Sequence, residues 1–329
     1  MSENDDFRQL FHEAASDIRP QGSLDDILDR TKKVDPMTRR WFLPVIAAAA
    51  VIGLAIGGAV YLSGDDSPAS STPPPAGSPS ANPTTGTSGV EGAVPVYFIG
   101  EAAQGPRLYR EFQHLSVDQS ADGLMRASVA TAVTGSPDDP DYRNPWPQGT
   151  TVSAQGGSDR LRVDIRGDLH DRPAGMSQAE ADLAVQSLVY SAQAGWGKGP
   201  VPVQITLNGN PSDTVLGVPT SEPLASDSDV LAPVQISSPS NGTKVPAGDL
   251  KVTGVASAFE ANVVWELLVG GDAVVKNGHA TAAECCKLSP YEFTIEGLEP
   301  GTYTLVVHDE DMSGEGRPTN QDTKEIVVE

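Results

Sequence analysis

Residues 41–62, WFLPVIAAAAVIGLAIGGAVYL, decide how the rest of this chain is read. The run holds no charged residue, and at ~1.5 Å per helical residue its length of about 33 Å matches the ~30 Å hydrocarbon core of a bilayer. It predicts a single transmembrane helix. Lys32, Lys33, Arg39 and Arg40 stand just before it and Asp65 and Asp66 just after it. The positive-inside bias then places the N-terminus in the cytoplasm and everything from residue 63 onward outside the membrane. A cleaved signal peptide fits less well, because residues 1–40 are hydrophilic and the run exceeds the ~7 to 15 apolar residues of a signal. The nearest cysteine downstream is Cys285, so lipid attachment next to the run is excluded. Within the run, Gly53 and Gly57 form a GxxxG, a candidate helix–helix contact.

Outward from the anchor on the cytoplasmic side, Phe7, Leu10, Phe11 and Ala14 recur at helical spacing. Ser23 is placed to cap a second short helix with Leu24, Ile27 and Leu28. Residues 1–40 are too few to build a core of their own. This tail is expected either to dock on a cytoplasmic partner, or to lie at the membrane or stay largely disordered. On the other side, residues 63–92 carry prolines at 68, 73, 74, 75, 79 and 83 among Ser, Thr and Gly. That composition reads as a linker, spanning between roughly 30 Å as a coil and 90 Å as extended polyproline.

The formal net charge is −22, and residues 65–329 hold 35 acids against 15 bases. Such a surface repels phosphates, so nucleic acid and anionic lipid headgroups are not expected partners of the outer region. The two cysteines, Cys285 and Cys286, are adjacent and fall on the side assigned to the oxidising compartment. A vicinal disulfide, a free pair and links to another chain all remain open for them. No zinc-site spacing of cysteine and histidine accompanies them.

Two folded regions follow the linker. In residues 93–224, VPVYFIG (94–100) and RLYREFQHLSV (107–117) read as strands, and Met125, Val129, Ala132 and Val133 mark one face of a helix ended by Gly135. TTVSAQG and RLRVDIRG form a second strand pair. Ser177 and Glu180 make a capping box for a helix carrying Ala181, Ala184, Val185, Leu188 and Ala192, which is expected to stop at Gly195 before a last strand, VPVQITLNG. This order predicts an α+β domain with both helices on one sheet. Residues 232–329 show no helical period. Seven short β runs, PVQISSP, LKVTGVAS, ANVVWELLV, AVVKNG, YEFTIEG, GTYTLVVHD and TKEIVVE, predict an all-β immunoglobulin-like sandwich with Trp265 in its core.

Several motifs carry a resemblance. VPVYFIG, DYRNPWPQGTTV and the capped QAEADLAVQSLVYSAQA resemble the GerMN domain of sporulation and germination proteins. DVLAPVQISSPSNGTKV, KVTGVASAFEANVVWEL and GLEPGTYTLVVHDEDMSGEG resemble the immunoglobulin-like domain that accompanies it in spore-germination and actinobacterial envelope proteins. The resemblance implies a membrane-tethered envelope protein with a binding or structural role, and it supplies no catalytic residues to carry over. Cys285 and Cys286 are not part of the motif.

His12, His114, His170, His279 and His308 are scattered, and no HExxH, GxSxG, P-loop or Rossmann fingerprint occurs. An enzyme assembled from dispersed residues would gather His114 or His170 with a carboxylate and a hydroxyl in a cleft. Asp309, Asp311, Ser313 and Gly314 imitate the first half of a calcium loop, but Arg317 and Asn320 occupy ligand positions, which favours a solvated acidic turn. Tyr142 and Trp146, among the prolines of DPDYRNPWPQG, are a candidate binding platform for a glycan or peptide, with folding back onto the sheet as the competing reading. The expectation is a non-catalytic, single-pass cell-envelope protein, without cofactor or metal, whose outer domains bind peptidoglycan or another envelope protein. The alternative is an anti-sigma-like transmembrane regulator that passes an outer signal to the cytoplasmic tail.

Overall fold

The alternation of VPVYFIG and RLYREFQHLSV builds a long antiparallel hairpin, β1 (Val90–Ala102) and β2 (Gly105–Val117), turning at residues 103–104. The computed structural model describes residues 90–310 and 319–329, which fall within one compact unit. The expected transmembrane helix, the Gly53/Gly57 contact, the cytoplasmic tail and the linker up to residue 89 lie outside the described residues. Among the described residues no helix is long and apolar enough to cross a membrane. Val90, Glu91 and Gly92, assigned to the linker, instead extend β1 opposite Val117, Ser116 and Leu115.

Ser120 caps α1 (Ala121–Thr134) by accepting the Gly123 N–H, and the helix ends at Gly135. Ser177 caps α2 (Gln178–Trp196) by accepting the Glu180 N–H. Gly195 does not stop that helix. The stop is Gly197, which takes the left-handed conformation (φ 65°) as a C-terminal glycine can without a Cβ penalty. Gly195 is a contact glycine: a Cβ there would lie 2.6 Å from the Met125 Cα and 2.8 Å from the Leu124 carbonyl oxygen, so its bare backbone lets α2 approach α1.

The helices do not share one sheet. A three-stranded sheet runs β2-β1-β3, where β3 (Tyr142–Arg143) is a two-residue strand inside the proline-rich loop. A four-stranded sheet runs β4-β5-β6-β7, from β4 (Thr151–Gln155), β5 (Leu161–Arg166), β6 (Val203–Leu207) and β7 (Asn210–Pro211). β5 and β6 are parallel, with α2 as their crossover. A small hairpin, β8 (Thr214–Val215) and β9 (Val218–Pro219), follows. The helix pair serves both sheets: Met125, Val129, Ala184 and Leu188 pack with Val163, Ile165 and Ile205, while Ala132 on α1 and Leu183 on α2 pack with Phe98 and Ile99 of β1. Residues Val94–Gly100 are consequently buried on both faces of β1. Its open edge is covered by α2, whose Ser191 hydroxyl accepts the Tyr97 N–H at 3.0 Å.

Among the described residues the second domain has eight strands, one more than the seven runs read from the sequence. β10 (Val234–Ser238), β12 (Gly248–Ala256) and β15 (Ser289–Leu298) form one sheet. β11 (Thr243–Val245), β13 (Asn262–Val269), β14 (Ala273–Thr281), β16 (Gly301–His308) and β17 (Gln321–Val328) form the other, in the order β11-β17-β16-β13-β14. The extra strand, β11, pairs parallel to β17, Lys244 opposite Val327. Inward residues of both sheets make one core, and Trp265 of β13 stacks on Phe293 of β15 at 5.1 Å between centroids. This aromatic stack ties the two sheets without an inter-sheet disulfide.

Candidate functional site

Two features stand out, a buried polar junction between the domains and a cluster of loops at one end of the sandwich. The junction begins with Glu111 on β2, buried and turned towards the loop after α1. Its carboxylate accepts the Asp138 N–H with both oxygens at 3.0 Å, the Asp139 N–H at 2.9 Å and the Gln113 side-chain amide at 2.7 Å. Burial pushes the Glu111 carboxyl above its usual range despite these donors. So held, the loop presents Asp139 and Tyr142 to β17 of the second domain. Asp139 Oδ1 accepts the Asp141 N–H at 2.9 Å.

From β17, Asp322 and Lys324 point into the same space, as alternate residues of one strand must. Lys324 Nζ donates to Asp139 Oδ2 at 2.5 Å, to the Tyr142 hydroxyl at 2.6 Å and to Asp322 Oδ1 at 2.9 Å. Tyr142 donates in turn to Asp322 Oδ1 at 2.7 Å, and Asp322 Oδ2 accepts the Ile236 N–H at 2.6 Å. The side chains of Lys324, Asp139 and Asp322 are only 3%, 2% and 2% exposed. Burial pushes the Asp322 carboxyl up. The same burial alone would lower Lys324, but the two carboxylates outweigh it and hold the ammonium above its ordinary range. Tyr109 stacks on Tyr142 at 5.0 Å and donates to the Glu101 and Gln321 carbonyls. Around this core, the Arg110 N–H donates to Gln235 Oε1 at 3.0 Å, and the Ala232 N–H donates to the Leu108 carbonyl at 2.9 Å. Apart from Arg110 Nε, which is buried without a partner, the polar groups named here are paired, and a buried paired network stiffens what it joins.

The expected aromatic platform is therefore overturned. Tyr142 and Trp146 are each only 6% exposed. Tyr142 belongs to the junction, and Trp146 packs in the core of the first domain with Leu161 and Leu188. The loop folds inward because Asn144 accepts the Trp146 N–H and donates to the Gly135 carbonyl, which turns the indole under the sheet. The dispersed histidines do not assemble. His114 is exposed on β2, opposite Ala93. His170 Nδ1 lies 3.1 Å from Ser212 Oγ, but that hydroxyl gives its proton to the Thr214 carbonyl at 2.6 Å, so the imidazole faces a lone pair. Among the described residues no group of three His, Cys, Asp or Glu side chains converges as a metal site.

At the loop end, residues 257–262 and 282–288 come together with Asp309 and Glu310. The Cys286 N–H reaches the Ala258 carbonyl at 3.4 Å, and the Ala282 N–H donates to the Ala261 carbonyl at 2.8 Å. Asn262 donates to Glu310 at 2.7 Å. Cys285 and Cys286 are joined as a vicinal disulfide on this exposed surface. Glu260 (φ 53°) and Ala261 (φ 59°) take the left-handed backbone, at ~1–2 kcal/mol each for a residue with a side chain. Beside them Phe259 is 58% exposed, while Ala261 is buried in the core of the sandwich. Of the calcium-like turn, residues 311–318 lie outside the described residues. Its two ends are tied together, Asp309 accepting the Asn320 N–H at 2.7 Å and the Asn320 side-chain amide at 2.6 Å. A shallow groove of about 430 Å³ lies elsewhere, between Arg107, Asp182, Gln186 and Asp229.

A family model described as sporulation and spore germination (Germane) matches residues 95–213, and one described as the immunoglobulin-like domain of bacterial spore germination (Gmad2) matches residues 233–315. The chain carries a Germane domain followed by a Gmad2 domain. The junction above thus joins the Germane-matched region to β17, a strand of the sandwich beyond the Gmad2-matched residues, and Phe259 and the disulfide lie within the Gmad2 match. Among solved structures, the tandem GerMN domains of the sporulation protein GerM from Bacillus subtilis are 15% identical, with a TM-score of 0.33 over 63% of this chain and 62% of that one. An engineered protein is 16% identical, with a TM-score of 0.25 over 44% of this chain and 36% of that one. CopC from Methylosinus trichosporium OB3b is 17% identical, with a TM-score of 0.22 over 29% of this chain and 93% of that one. The chain spans less than two thirds of the length of the first two. No curated protein matches the chain.

Proposed function

We propose that this chain is a non-catalytic, single-pass cell-envelope protein of a sporulation or germination system. Residues 41–62 anchor it, and its outer body binds peptidoglycan or another envelope protein through the loop end of the Gmad2 domain. The observation that carries this reading is Phe259. It is a large apolar side chain left 58% exposed on a turn whose neighbours adopt costly left-handed backbone and are pinned by the adjacent loops. An exposed aromatic on a rigid support is the usual anchor of a binding surface. The two domain matches support the sporulation or germination setting, and the acidic outer region supports a partner that is neither nucleic acid nor anionic lipid.

The test is photo-crosslinking in intact cells from a reactive amino acid placed at position 259, with a second at position 182 in the groove for comparison. An adduct from position 259 with a muropeptide or an envelope protein is expected. Adducts with cytoplasmic proteins alone would overturn the topology, and adducts from position 182 alone would move the binding surface to the groove. Turnover of peptidoglycan by the purified chain would overturn the non-catalytic assignment.

A further inference from the structure

We propose that Lys324 and Asp139 react within the folded chain to form an amide, a covalent cross-link between the β-sandwich and the Germane domain. The nucleophile and the electrophile are already in contact, Nζ lying 2.5 Å from Asp139 Oδ2, with both side chains 3% exposed or less. The groups around them supply what acyl transfer needs. Asp139 Oδ1 receives the Asp141 N–H at 2.9 Å, a donor placed to stabilise the oxyanion as Nζ adds to the carboxyl carbon. Asp322 Oδ1, 2.9 Å from Nζ, is placed to carry a proton between nitrogen and leaving oxygen. The Tyr142 hydroxyl, 2.6 Å from Nζ and 2.7 Å from Asp322 Oδ1, holds both in register.

The balance closes without any co-reactant. The ammonium gives one proton to Asp139 Oδ2, which turns a buried ion pair into a neutral amine and a neutral acid. The transfer runs along one hydrogen bond, Nζ to Oδ2 at 2.5 Å; the carboxylates favour the ammonium, so the neutral pair is the minor form, and it is the form whose nitrogen lone pair can attack. Nζ then forms its bond to Cγ. A second nitrogen proton passes to Asp322 Oδ1 and on to Oδ2, the Cγ–Oδ2 bond breaks, and water leaves. The nitrogen keeps its third proton as an amide N–H, and Asp322 ends as it began. The raised Asp322 carboxyl is consistent with such a carrier. Proximity in a closed site replaces the activation that amide formation needs in water. Asp322 is not the electrophile, because it stands two residues from Lys324 on the same strand, whereas Asp139 comes from the other domain.

The cross-link is independent of what the outer body binds. Its test is the intact mass of the full chain, denatured and reduced, together with its tryptic map. The wild type is expected to be lighter than its sequence by one water and to yield a branched peptide joining the segment with Asp139 to the segment with Lys324. Lys324→Arg, which keeps the cation but is not a nucleophile, and Asp139→Ala are both expected at full sequence mass. These controls also separate the loss from a succinimide elsewhere in the chain. Asp322→Asn is expected to slow or abolish the loss of water while the chain still folds. A wild-type chain at full sequence mass, with the two segments recovered as separate peptides, would overturn the proposal.

Discussion

Tyr142 shows how much a single residue changes its meaning between sequence and fold. Among prolines and beside Trp146 it reads either as a surface platform or as an aromatic folded back onto the sheet, and it lies under β17 with its hydroxyl between Lys324 and Asp322. The information that would have placed it, an Asp and a Lys two residues apart near the end of the chain, is 180 residues away and carries no local signal. Burial, followed by the nearby carboxylates Asp322 and Asp139, pushes the Tyr142 hydroxyl well above its ordinary value. In the unfolded chain the phenol ionises near pH ~10, whereas in the folded chain it keeps its proton. The folded state therefore binds more protons above that pH, and stability falls as pH rises further. Tyr142→Phe removes this contribution, so its denaturation midpoint is expected to fall less steeply than the wild type's above pH ~10. At neutral pH the same variant is expected to be less stable by about 1–3 kcal/mol, from the lost bonds of a buried hydroxyl. Parallel slopes in urea melts at alkaline pH would contradict this. At the opposite extreme, Phe259→Ser touches an exposed side chain, and its stability is expected to stay within about 0.5 kcal/mol of the wild type while crosslinked partner is lost.

At the scale of elements, local rules carried the two helices. Ser120 and Ser177 act as N-caps, and replacing Ser177 by Ala is expected to cost about 1 kcal/mol in chemical denaturation. The reciprocal half of the capping box is not made: Glu180 turns instead to Arg143 at 3.4 Å, an exposed pair of little energetic weight. Gly195 is where local reasoning reaches its limit. A glycine near a helix end reads as a stop, but α2 runs through it and leaves the capping to Gly197. Gly195→Ala improves helix propensity by ~1 kcal/mol, yet its Cβ would strike the backbone of α1, and overpacking of that kind costs ~1–3 kcal/mol. The net expectation is destabilisation, seen as a lower thermal midpoint. A stabilised Gly195→Ala protein would show that α1 moves aside freely.

For the whole molecule, the junction makes one body of two domains. Asp322 is the acceptor for the Ile236 N–H, for the Tyr142 hydroxyl and for Lys324, so Asp322→Ala leaves three donors short of a partner. Removing one member of a buried ionic cluster typically costs ~3–5 kcal/mol. The variant is expected to unfold in two calorimetric steps where the wild type unfolds in one. A single step in both would mean that the remaining contacts across the junction, such as Arg110 with Gln235 and Ser237, suffice to couple the domains. Composition, the 3.6-residue and two-residue periods, and the capping residues pointed by themselves to the two folds seen among the described residues, one α+β and one a sandwich with Trp265 inside. Such signals are local, and a helix or strand of this length declares itself through its own neighbours. Only the tertiary structure decided that the helix pair serves two sheets, that β11 adds an eighth strand parallel to β17, and that Asp139, Tyr142, Asp322 and Lys324 meet. Those outcomes depend on which faces touch once the chain has closed on itself, and contacts between residues so far apart in sequence leave no periodicity to read.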